Sequence, residues 1–279
     1  MVLDKKTEKR ILDFIRKKPR TVQEVALLIR KNWRTADSYL QKISQETGSI
    51  AFRIFRAGTR GALKIAYWNS LESMHSSQAQ ELLFKRLEVA RKKEDFSPFD
   101  IYQYVDKNKR AAFFEEQEEE MLNVKQDLVG SLMSAQQQVL IFSGNISWAN
   151  LIQGRKKLID VFRELAERNV SVKIVADVDM HCIDNAKKVN AINSSVGKDR
   201  IEVRHCEQPL RAFIVDDRVV KIKEIKDPKE ASKRKRTYIF YEIYDEEWVE
   251  WLKKVFWHFF ASGIPLKKRV EDLKTVKRI

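Results

Sequence analysis

Short apolar runs alternate with amphipathic segments from residue 121 onward, and this alternation constrains the fold more than any other feature of the chain. The apolar runs are predicted strands, and they span 137–145, 170–179, 200–206, 211–225 and 235–245. The predicted helices span 121–136, 155–169, 182–196 and 246–264. The run 211–225 is predicted to be a hairpin that turns at Asp216, Asp217 and Arg218. Strands that alternate with helices predict an α/β domain with a mixed sheet over residues 121–279.

The chain carries a net charge of +14, and most of this charge lies at one end. Residues 1–70 hold 16 Lys and Arg against 6 Asp and Glu, which is a local net charge of +10. A protein needs such a surplus to neutralise phosphates, so we expect double-stranded DNA as a partner. The acidic stretch FFEEQEEEM, at 113–121, is the opposite pole and is predicted to be a solvated helix face or a turn.

Residues 1–69 contain three predicted helices followed by a hairpin. The helices span 6–18, 21–31 and 32–47, and the second opens on Thr21 with Glu24 three residues later, which is the pattern of a capping box. In 50–69, apolar residues alternate on both sides of the Gly-flanked stretch AGTRG, which predicts a β-hairpin. This order predicts a winged helix-turn-helix DNA-binding domain with 32–47 as its recognition helix.

Nine residues of this domain are predicted to contact DNA. Those of the recognition helix are Asn32, Trp33, Arg34, Thr35 and Ser38. Those of the hairpin are Arg53, Arg56, Arg60 and Lys64, with Arg60 at the tip. We expect Asn32, Arg34, Thr35 and Ser38 to read base edges in a major groove and the basic side chains to bind phosphates. A winged helix that contacts only another protein is the alternative.

Residues 70–120 are predicted to form a helical linker. The stretch 70–94 lacks Pro and Gly and has the apolar residues of one long helix. Such a helix would either hold a homodimer together, because palindromic DNA sites reward two-fold symmetry, or pack within its own chain. A strand is predicted at 99–105, followed by a return to helix.

Several classes of protein are disfavoured by what the sequence lacks. Two cysteines, Cys182 and Cys206, are too few for a disulfide scaffold and favour a cytoplasmic protein with reduced thiols. The N-terminus has no apolar run of a signal peptide, and no segment reaches about 18 apolar residues, so no membrane partner is expected. Neither a P-loop nor an acidic metal cluster is present, so we expect no cofactor and no metal. His181-Cys182 and His205-Cys206 could supply zinc ligands, but adjacent ligands lack the usual spacing.

Three stretches carry a resemblance to a known family: RTVQEVALLIRKNWRTADSYLQKI, LVGSLMSAQQQVLIFSGN and LRAFIVDDRVV. With the order of the predicted elements, they make the chain similar to archaeal TrmB-like transcriptional regulators, in which a winged helix is fused to a phospholipase D-like domain. The resemblance implies a sequence-specific DNA-binding regulator, a homodimer and a small-molecule effector. It also implies that 121–279 is a phospholipase D-like domain used for dimerisation and sensing.

Phospholipase D enzymes carry the motif H-x-K-x₄-D, in which the histidine attacks phosphorus. Alignment of Asp216 with the aspartate puts Arg211 at the lysine and Pro209 at the histidine. Since proline is no nucleophile, the resemblance implies that this chain is not an enzyme. Arginine still binds anions, so Asn145, Arg211 and Asp216 are the candidate anion or ligand site, although Asp216-Asp217 is also an ordinary hairpin turn. The alternatives are a phosphodiesterase or nuclease with an altered active site, and a scaffold that binds DNA without sequence preference.

Overall fold

The computed structural model describes residues 3–47, 50–56, 62–68, 76–117, 127–153, 156–226 and 236–276. These residues fall into two compact units. The first consists of Met1–Leu83 with Phe99–Tyr104, and the second of Phe84–Pro98 with Val105–Ile279. Along the chain, residues 84–98 belong to the second unit, residues 99–104 to the first, and residues 105–279 to the second again.

The first unit is built of helices around a small antiparallel sheet. Its elements are α1 (Lys5–Lys17), β1 (Arg20–Thr21), α2 (Val22–Ile29), α3 (Trp33–Thr47), β2 (Ile50–Arg56) and β3 (Ala62–Trp68). Two helices follow: α4 (Ser76–Val89), which runs from the first unit into the second, and α5 (Phe99–Tyr102). The sheet has the order β1-β3-β2. The three predicted helices and the hairpin are all present.

Local capping explains where α2 begins. The Thr21 hydroxyl accepts a hydrogen bond from the Glu24 amide at 3.1 Å, and the Glu24 carboxylate accepts one from the Thr21 amide at 2.8 Å. The predicted capping box is thus confirmed. The core of the three helices includes Ile11, Leu40 and Ile43, all fully buried, so α3 packs on the other helices through Leu40 and Ile43.

The hairpin is buried on both faces, which the alternation pattern did not indicate. Residues that face the helices include Ile50 and Ala66, while Phe55 and Tyr67 lie on the opposite face. That second face is covered by α5, whose Phe99 ring lies 6.4 Å from Phe55 and 5.0 Å from Tyr67. The strand predicted at 99–105 is therefore wrong. Helical spacing lets Phe99 and Tyr102 reach the same ring, Phe55, from one short helix.

The second unit contains one large mixed sheet. The strands of this unit are β4 (Arg110–Gln117), β5 (Gln138–Ser143), β6 (Ile152–Gln153), β7 (Lys156–Lys157), β8 (Ser171–Ala176), β9 (Ile201–His205), β10 (Ala212–Val215), β11 (Val219–Lys226), β12 (Arg236–Ile243) and β13 (Ile264–Pro265). Strands β6 and β7 pair only with each other, and the other eight form the large sheet. The helices of this unit are α6 (Leu128–Met133), α7 (Leu158–Glu167), α8 (Ile183–Val196), α9 (Glu246–Ser262) and α10 (Leu266–Val276). The eight-stranded sheet has the order β13-β9-β8-β5-β10-β11-β12-β4.

The direction of the strands changes at β5. This strand pairs in parallel with β8, which pairs in parallel with β9, while β10, β11, β12 and β4 follow in antiparallel order. Helices α6, α7, α8 and α10 share a core with one face of the strands, and α9 contacts β5, β8 and β11. The mixed sheet and its predicted strands are confirmed. Of the helix predicted at 121–136, the structure describes the part from residue 127 on, which holds α6.

The acidic stretch at 113–121 is not a helix face or a turn where the structure describes it. Residues up to 117 belong to β4, an outer strand of the large sheet, and 118–121 lie outside the described residues. Phe113 stacks on Phe240 of the neighbouring strand with ring centres 5.2 Å apart, and Phe114 is buried on the other face. The glutamates after Phe114 made the stretch look solvated, although the apolar residues before them belong to β4.

The aromatic residues of α9 pack mainly into the core. Phe256, Phe259 and Phe260 are buried, and Phe142 of β5 meets Phe256 edge-on at 5.2 Å. Trp257 meets the rings of Phe256 and Phe260 edge-on, each at 5.5 Å, and is 40% exposed. Among the described residues, no helix is both long enough and apolar enough to cross a membrane.

The substitution Phe256→Ala is expected to lower the free energy of unfolding by about 3–5 kcal/mol, because it leaves a cavity under the sheet. Lys254→Ala, on the same helix and with its side chain 72% exposed, serves as the control and is expected to cost less than about 1 kcal/mol, since surface changes rarely cost more. Urea unfolding of both variants measures the difference. Equal losses would show that α9 does not pack on the sheet through Phe256.

Candidate nucleic-acid interface and sheet-edge site

Exposed cationic and aromatic side chains gather at the beginning of α3. Trp33 is 46% exposed, an unusual state for a side chain of this size, and Lys31, Arg34 and Ser38 are also exposed. Arg34 and Ser38 are four residues apart and so share one side of α3. Trp33, Arg34 and Ser38 were predicted from the sequence, whereas Lys31 was missed although it lies in the same basic stretch. This surface, Lys31 to Ser38, offers charge, hydrogen-bonding groups and an apolar ring together.

Asn32 and Thr35 have a structural role at this surface. The Asn32 side-chain oxygen accepts a hydrogen bond from the Thr35 amide at 2.9 Å, and the Asn32 carbonyl accepts one from the Ala36 amide at 3.1 Å. Asn32 therefore caps α3, which uses the oxygen that would otherwise accept from an adenine amino group. Thr35 is half-buried. The exposed pair of Arg34 and Ser38 is thus better placed for contacts than the two residues that complete the cap.

The hairpin cations are less available than the sequence indicated. Lys64 forms an ion pair with Asp37 of α3 at 2.6 Å, with only 13% of its side chain exposed, and its ammonium lies 4.3 Å from the centre of the Phe52 ring. Its charge is already neutralised, so it fastens β3 to α3. Arg53 is half-buried on the face of the hairpin that α5 covers. The side chain of Arg56 and the whole of Arg60 lie outside the described residues.

Arg211 lies directly before β10, beside the carboxyl end of β5. We call this end of the two inner strands the sheet edge. Its Nη1 donates to the carbonyl oxygens of Leu210 at 2.7 Å and Gln208 at 3.2 Å. Burial lowers the pKa of Arg211, while the carboxylates of Asp177 and Glu94 act in the opposite direction. The guanidinium nonetheless stays charged, because an arginine in a protein is not deprotonated near neutral pH.

Gly144 makes the position of Arg211 possible. A Cβ atom on Gly144 would stand 2.7 Å from both Nε and Nη2 of Arg211, closer than real Cβ contacts come. The glycine in the stretch FSGN therefore leaves space for a guanidinium. Arg211 is therefore packed directly against the backbone of this glycine.

The three predicted anion-site residues do not come together. Asn145 follows Gly144 at the edge that Arg211 occupies, and its side-chain oxygen accepts from the Ser147 amide at 3.2 Å. Asp216 lies at the opposite end of β10, because β10 runs antiparallel to β5. There its carboxylate accepts hydrogen bonds from the amides of residues 136, 137 and 138 at 2.9–3.0 Å. Asp216 is therefore a structural residue, in agreement with the alternative of an ordinary turn.

A second cation near Arg211 was not found by sequence reasoning. Lys223 of β11 lies directly across from Arg211, and its amide donates to the Arg211 carbonyl at 2.8 Å. Burial lowers the pKa of Lys223, and the nearby charges of Arg211, Lys93 and Arg236 lower it further. Alternation in β11 puts Lys221 and Lys223 on one face. Since the hairpin was predicted to turn at 216–218, pairing residues outward from the turn would have placed Lys223 opposite Arg211.

The two His-Cys pairs do not form a metal site in the described part of the chain. Cys182 is buried and its thiol lies 3.2 Å from the Asp177 carbonyl, and burial raises its pKa to about 11. His205 ends β9 and its Nδ1 accepts a hydrogen bond from the Val178 amide at 3.0 Å. No group of three or more potential metal ligands is found among the described residues. These side chains hold the loops at the sheet edge.

The described residues define the class of this protein coarsely: a basic unit of three helices and a hairpin, joined in one chain to an α/β unit with a large mixed sheet. No family model matches the sequence, and no curated protein matches it. Three of the solved structures that are similar to this chain have sequence identities of 14–15%.

NUC, a phospholipase D family member from Salmonella typhimurium, has a TM-score of 0.40 at 14% identity, over 56% of this chain and 97% of its own. NucT from Helicobacter pylori has a TM-score of 0.40 at 15% identity, over 56% and 99%. TrmBL2, an archaeal chromatin protein whose structure shows a novel mode of DNA binding, has a TM-score of 0.39 at 14% identity, over 93% of each chain. At these TM-scores the similarity assigns no function to this chain.

The Asp216 carboxylate is expected to stabilise the fold in a pH-dependent way. Burial by itself raises the pKa of Asp216, but the three amide hydrogen bonds and Arg218 outweigh it, so the pKa lies below its ordinary value. The stabilisation is therefore present above the unfolded pKa of about 3.9 and is lost as the pH falls through the folded value. Asp216→Asn, which tolerates the positive φ of 49° found here, should cost about 1–3 kcal/mol at pH 7.

Urea unfolding at pH 7 and near pH 3 checks this, and the gap between the wild type and the variant should narrow at the lower pH. Asp217→Asn is the matched control, since Asp217 occupies the same turn with its side chain 72% exposed. A loss for Asp217→Asn equal to that for Asp216→Asn would contradict the structural role of Asp216.

Proposed function

We propose that this protein is a sequence-specific double-stranded-DNA-binding transcriptional regulator, and that it acts as a homodimer whose second unit is a non-catalytic dimerisation and sensing domain of phospholipase D type. The observation that carries the proposal is the exposed surface from Lys31 to Ser38 at the beginning of α3. It lies in the part of the chain that holds most of the net positive charge. The order of α1, α2, α3 and the β2–β3 hairpin supports a winged helix-turn-helix, in which such a helix enters a major groove.

The distribution of free and paired cations supports DNA over a protein partner. Arg34 and Lys31 are exposed and form no ion pair among the described residues, whereas Lys64 is neutralised by Asp37. The exposed beginning of a helix also presents amide groups with positive partial charge, which favours phosphate. Arg34 and Ser38 would then read bases, Lys31 would bind phosphate, and Trp33 would pack against sugar or base.

The second unit supports a role without catalysis. Pro209 stands where a phospholipase D-type motif has its histidine nucleophile, and it is buried. The nearest histidine at this edge, His205, uses the lone pair of Nδ1 to accept the Val178 amide. Burial and then Arg269 lower the pKa of His205, so its neutral ring carries the proton on Nε2 and has no second lone pair to attack phosphorus.

Removal of the two free cations, Lys31→Ala with Arg34→Ala, is expected to weaken binding to duplex DNA and to flatten its salt dependence. Each lost phosphate contact should reduce the slope of log K against log salt by about 0.9, so the loss of Lys31 should flatten the slope by about that amount, while the loss of Arg34 should mainly weaken the contact with bases. Fluorescence anisotropy over a series of salt concentrations measures the slope. An unchanged affinity would mean that α3 faces a protein.

The matched control is Lys187→Ala with Lys254→Ala, which removes the same charge from exposed helix positions of the second unit. Selection from random duplexes at fixed salt then tests specificity. An enriched palindrome supports a dimeric sequence-specific regulator. Recovery of random sequences with intact affinity would instead show a scaffold that binds DNA without sequence preference.

The protein is expected to show no turnover of bis(p-nitrophenyl) phosphate or of single-stranded DNA, with or without divalent metal, because Pro209 stands at the position of the nucleophilic histidine and His205 has no free lone pair. The wild type and Arg211→Ala should give the same background rate. Turnover that Arg211→Ala abolishes would show instead that the sheet edge is an active site.

A further inference from the structure

We infer that two copies of this protein pair through β4, the outer strand of the large sheet, so that their sheets join into one across a two-fold axis. The inference rests on the homodimer of the proposed function and names the surface that holds it together, but it does not depend on DNA binding. It starts from the outer side of β4, which is the side that faces away from β12.

Hydrogen bonds to β12 use only every second residue of β4. The Tyr244 amide donates to the Lys109 carbonyl at 2.8 Å, so these two residues form a hydrogen-bonded pair at the start of the antiparallel ladder. Such pairs alternate along a ladder with pairs that exchange no hydrogen bond. The residues of β4 whose amides and carbonyls point to the outer side therefore include Ala112, Phe114 and Glu116. Within the described part of the chain, these backbone groups have no hydrogen-bond partner.

The two outer strands of the large sheet differ in how they are protected. At the other side of the sheet, β13 has only two residues and ends at Pro265, which has no amide hydrogen. By contrast, β4 has eight residues, contains neither proline nor lysine, and pairs with β12 one to one without a bulge. Short strands, prolines, lysines and bulges are the devices that keep an outer strand from pairing with another chain. Since β4 has none of these, its outer side is suited to receive a further strand.

The charges of β4 fit a second copy of the same strand. Arg110 begins the strand and Glu116 lies near its end. In an antiparallel pair of β4 strands centred on Phe113, Arg110 of each copy stands directly opposite Glu116 of the other. Opposite charges at such positions stabilise a sheet, whereas a parallel pair in register would set like charges side by side. The strand is therefore complementary to itself in the antiparallel direction, as a two-fold interface requires.

The same arrangement places aromatic rings at the centre of the contact. Phe113 is half-buried, and its ring stacks on Phe240 with ring centres 5.2 Å apart. Because Phe113 directs its backbone groups to β12, it would face Phe113 of the second copy as a pair without hydrogen bonds, with Cβ atoms about 4.5–5.5 Å apart. The stack would then continue across the two-fold axis. On either side of it, Ala112 of one copy and Phe114 of the other would exchange backbone hydrogen bonds.

Sedimentation velocity of the full chain over a series of concentrations tests the pairing. The wild type should form a dimer, and Ala112→Pro should raise its dissociation constant at least about tenfold, because it removes an outward amide from each copy without removing a bond to β12. Glu116→Lys should weaken the dimer as well, and high salt should reduce that loss by screening the repulsion from Arg110. The control Glu250→Lys, on α9 with its side chain 67% exposed, should dimerise like the wild type.

Cysteine cross-linking tests the register, in a Cys206→Ser background that leaves only the buried native thiol. Under mild oxidation, Phe113→Cys should form a disulfide between the copies, since directly opposed residues of this kind of pair lie within disulfide range. Ala111→Cys is the matched control on the same face of β4, and it is more exposed. It would stand opposite Glu115 of the second copy, about 14 Å from its own counterpart, and should not form a cross-link.

A wild type that stays monomeric at every concentration would overturn both this inference and the homodimer of the proposed function. A dimer that withstands Ala112→Pro and Glu116→Lys, or that cross-links through Ala111→Cys as readily as through Phe113→Cys, would overturn this inference alone, because another surface would then hold the copies together. Slow hydrogen exchange at the Phe114 amide in a monomeric chain would also overturn it, since something other than a second copy would cover β4. These measurements use the chain without DNA, so a failure to bind DNA would leave them unchanged.

Discussion

The pairing of β5 is the constraint on which the second unit depends. This strand is fully buried along most of its length and has a parallel neighbour on one side and an antiparallel neighbour on the other. Because β10 runs antiparallel to β5, the two ends of the stretch PLRAFIVDDR lie at opposite ends of β5. Asp216 reaches the beginning of β5 and binds three amides there, while Arg211 reaches its end and packs on Gly144.

This separation changes the meaning of the motif-like spacing. A spacing of five residues along a strand covers about 17 Å, so two residues of one short motif cannot share a ligand when the strand is straight. The aspartate belongs to the architecture, and the arginine is the residue with chemistry to offer. Its neighbour in space is Lys223, twelve positions later, on the other strand of the hairpin that β10 and β11 form.

A comparable sorting of charges occurs in the first unit. The sequence shows a surplus of cations there but does not distinguish the ones that bind outward from the ones that hold the unit together. Lys64 forms an ion pair with Asp37, Asn32 caps α3, and Arg53 lies on the face that α5 covers. Arg34 and Lys31 remain exposed. A net charge of +10 therefore overstates the number of side chains available to a polyanion, and the exposed beginning of α3 carries more weight than the total.

Periodicity and capping signals in the sequence by themselves determined the three N-terminal helices, the capping box at Thr21, the hairpin and the alternating strands of the mixed sheet, since these depend on neighbours a few residues apart. They failed at 99–105 and 113–117. Phe99 and Tyr102 form a helix because the Phe55 ring is there to receive them, and β4 is a strand because β12 offers it an edge. Only the tertiary structure decided those two elements and the separation of Asp216 from Arg211. The physical reason is that strand register and cross-strand contacts are set by residues distant in the chain, which local patterns do not encode.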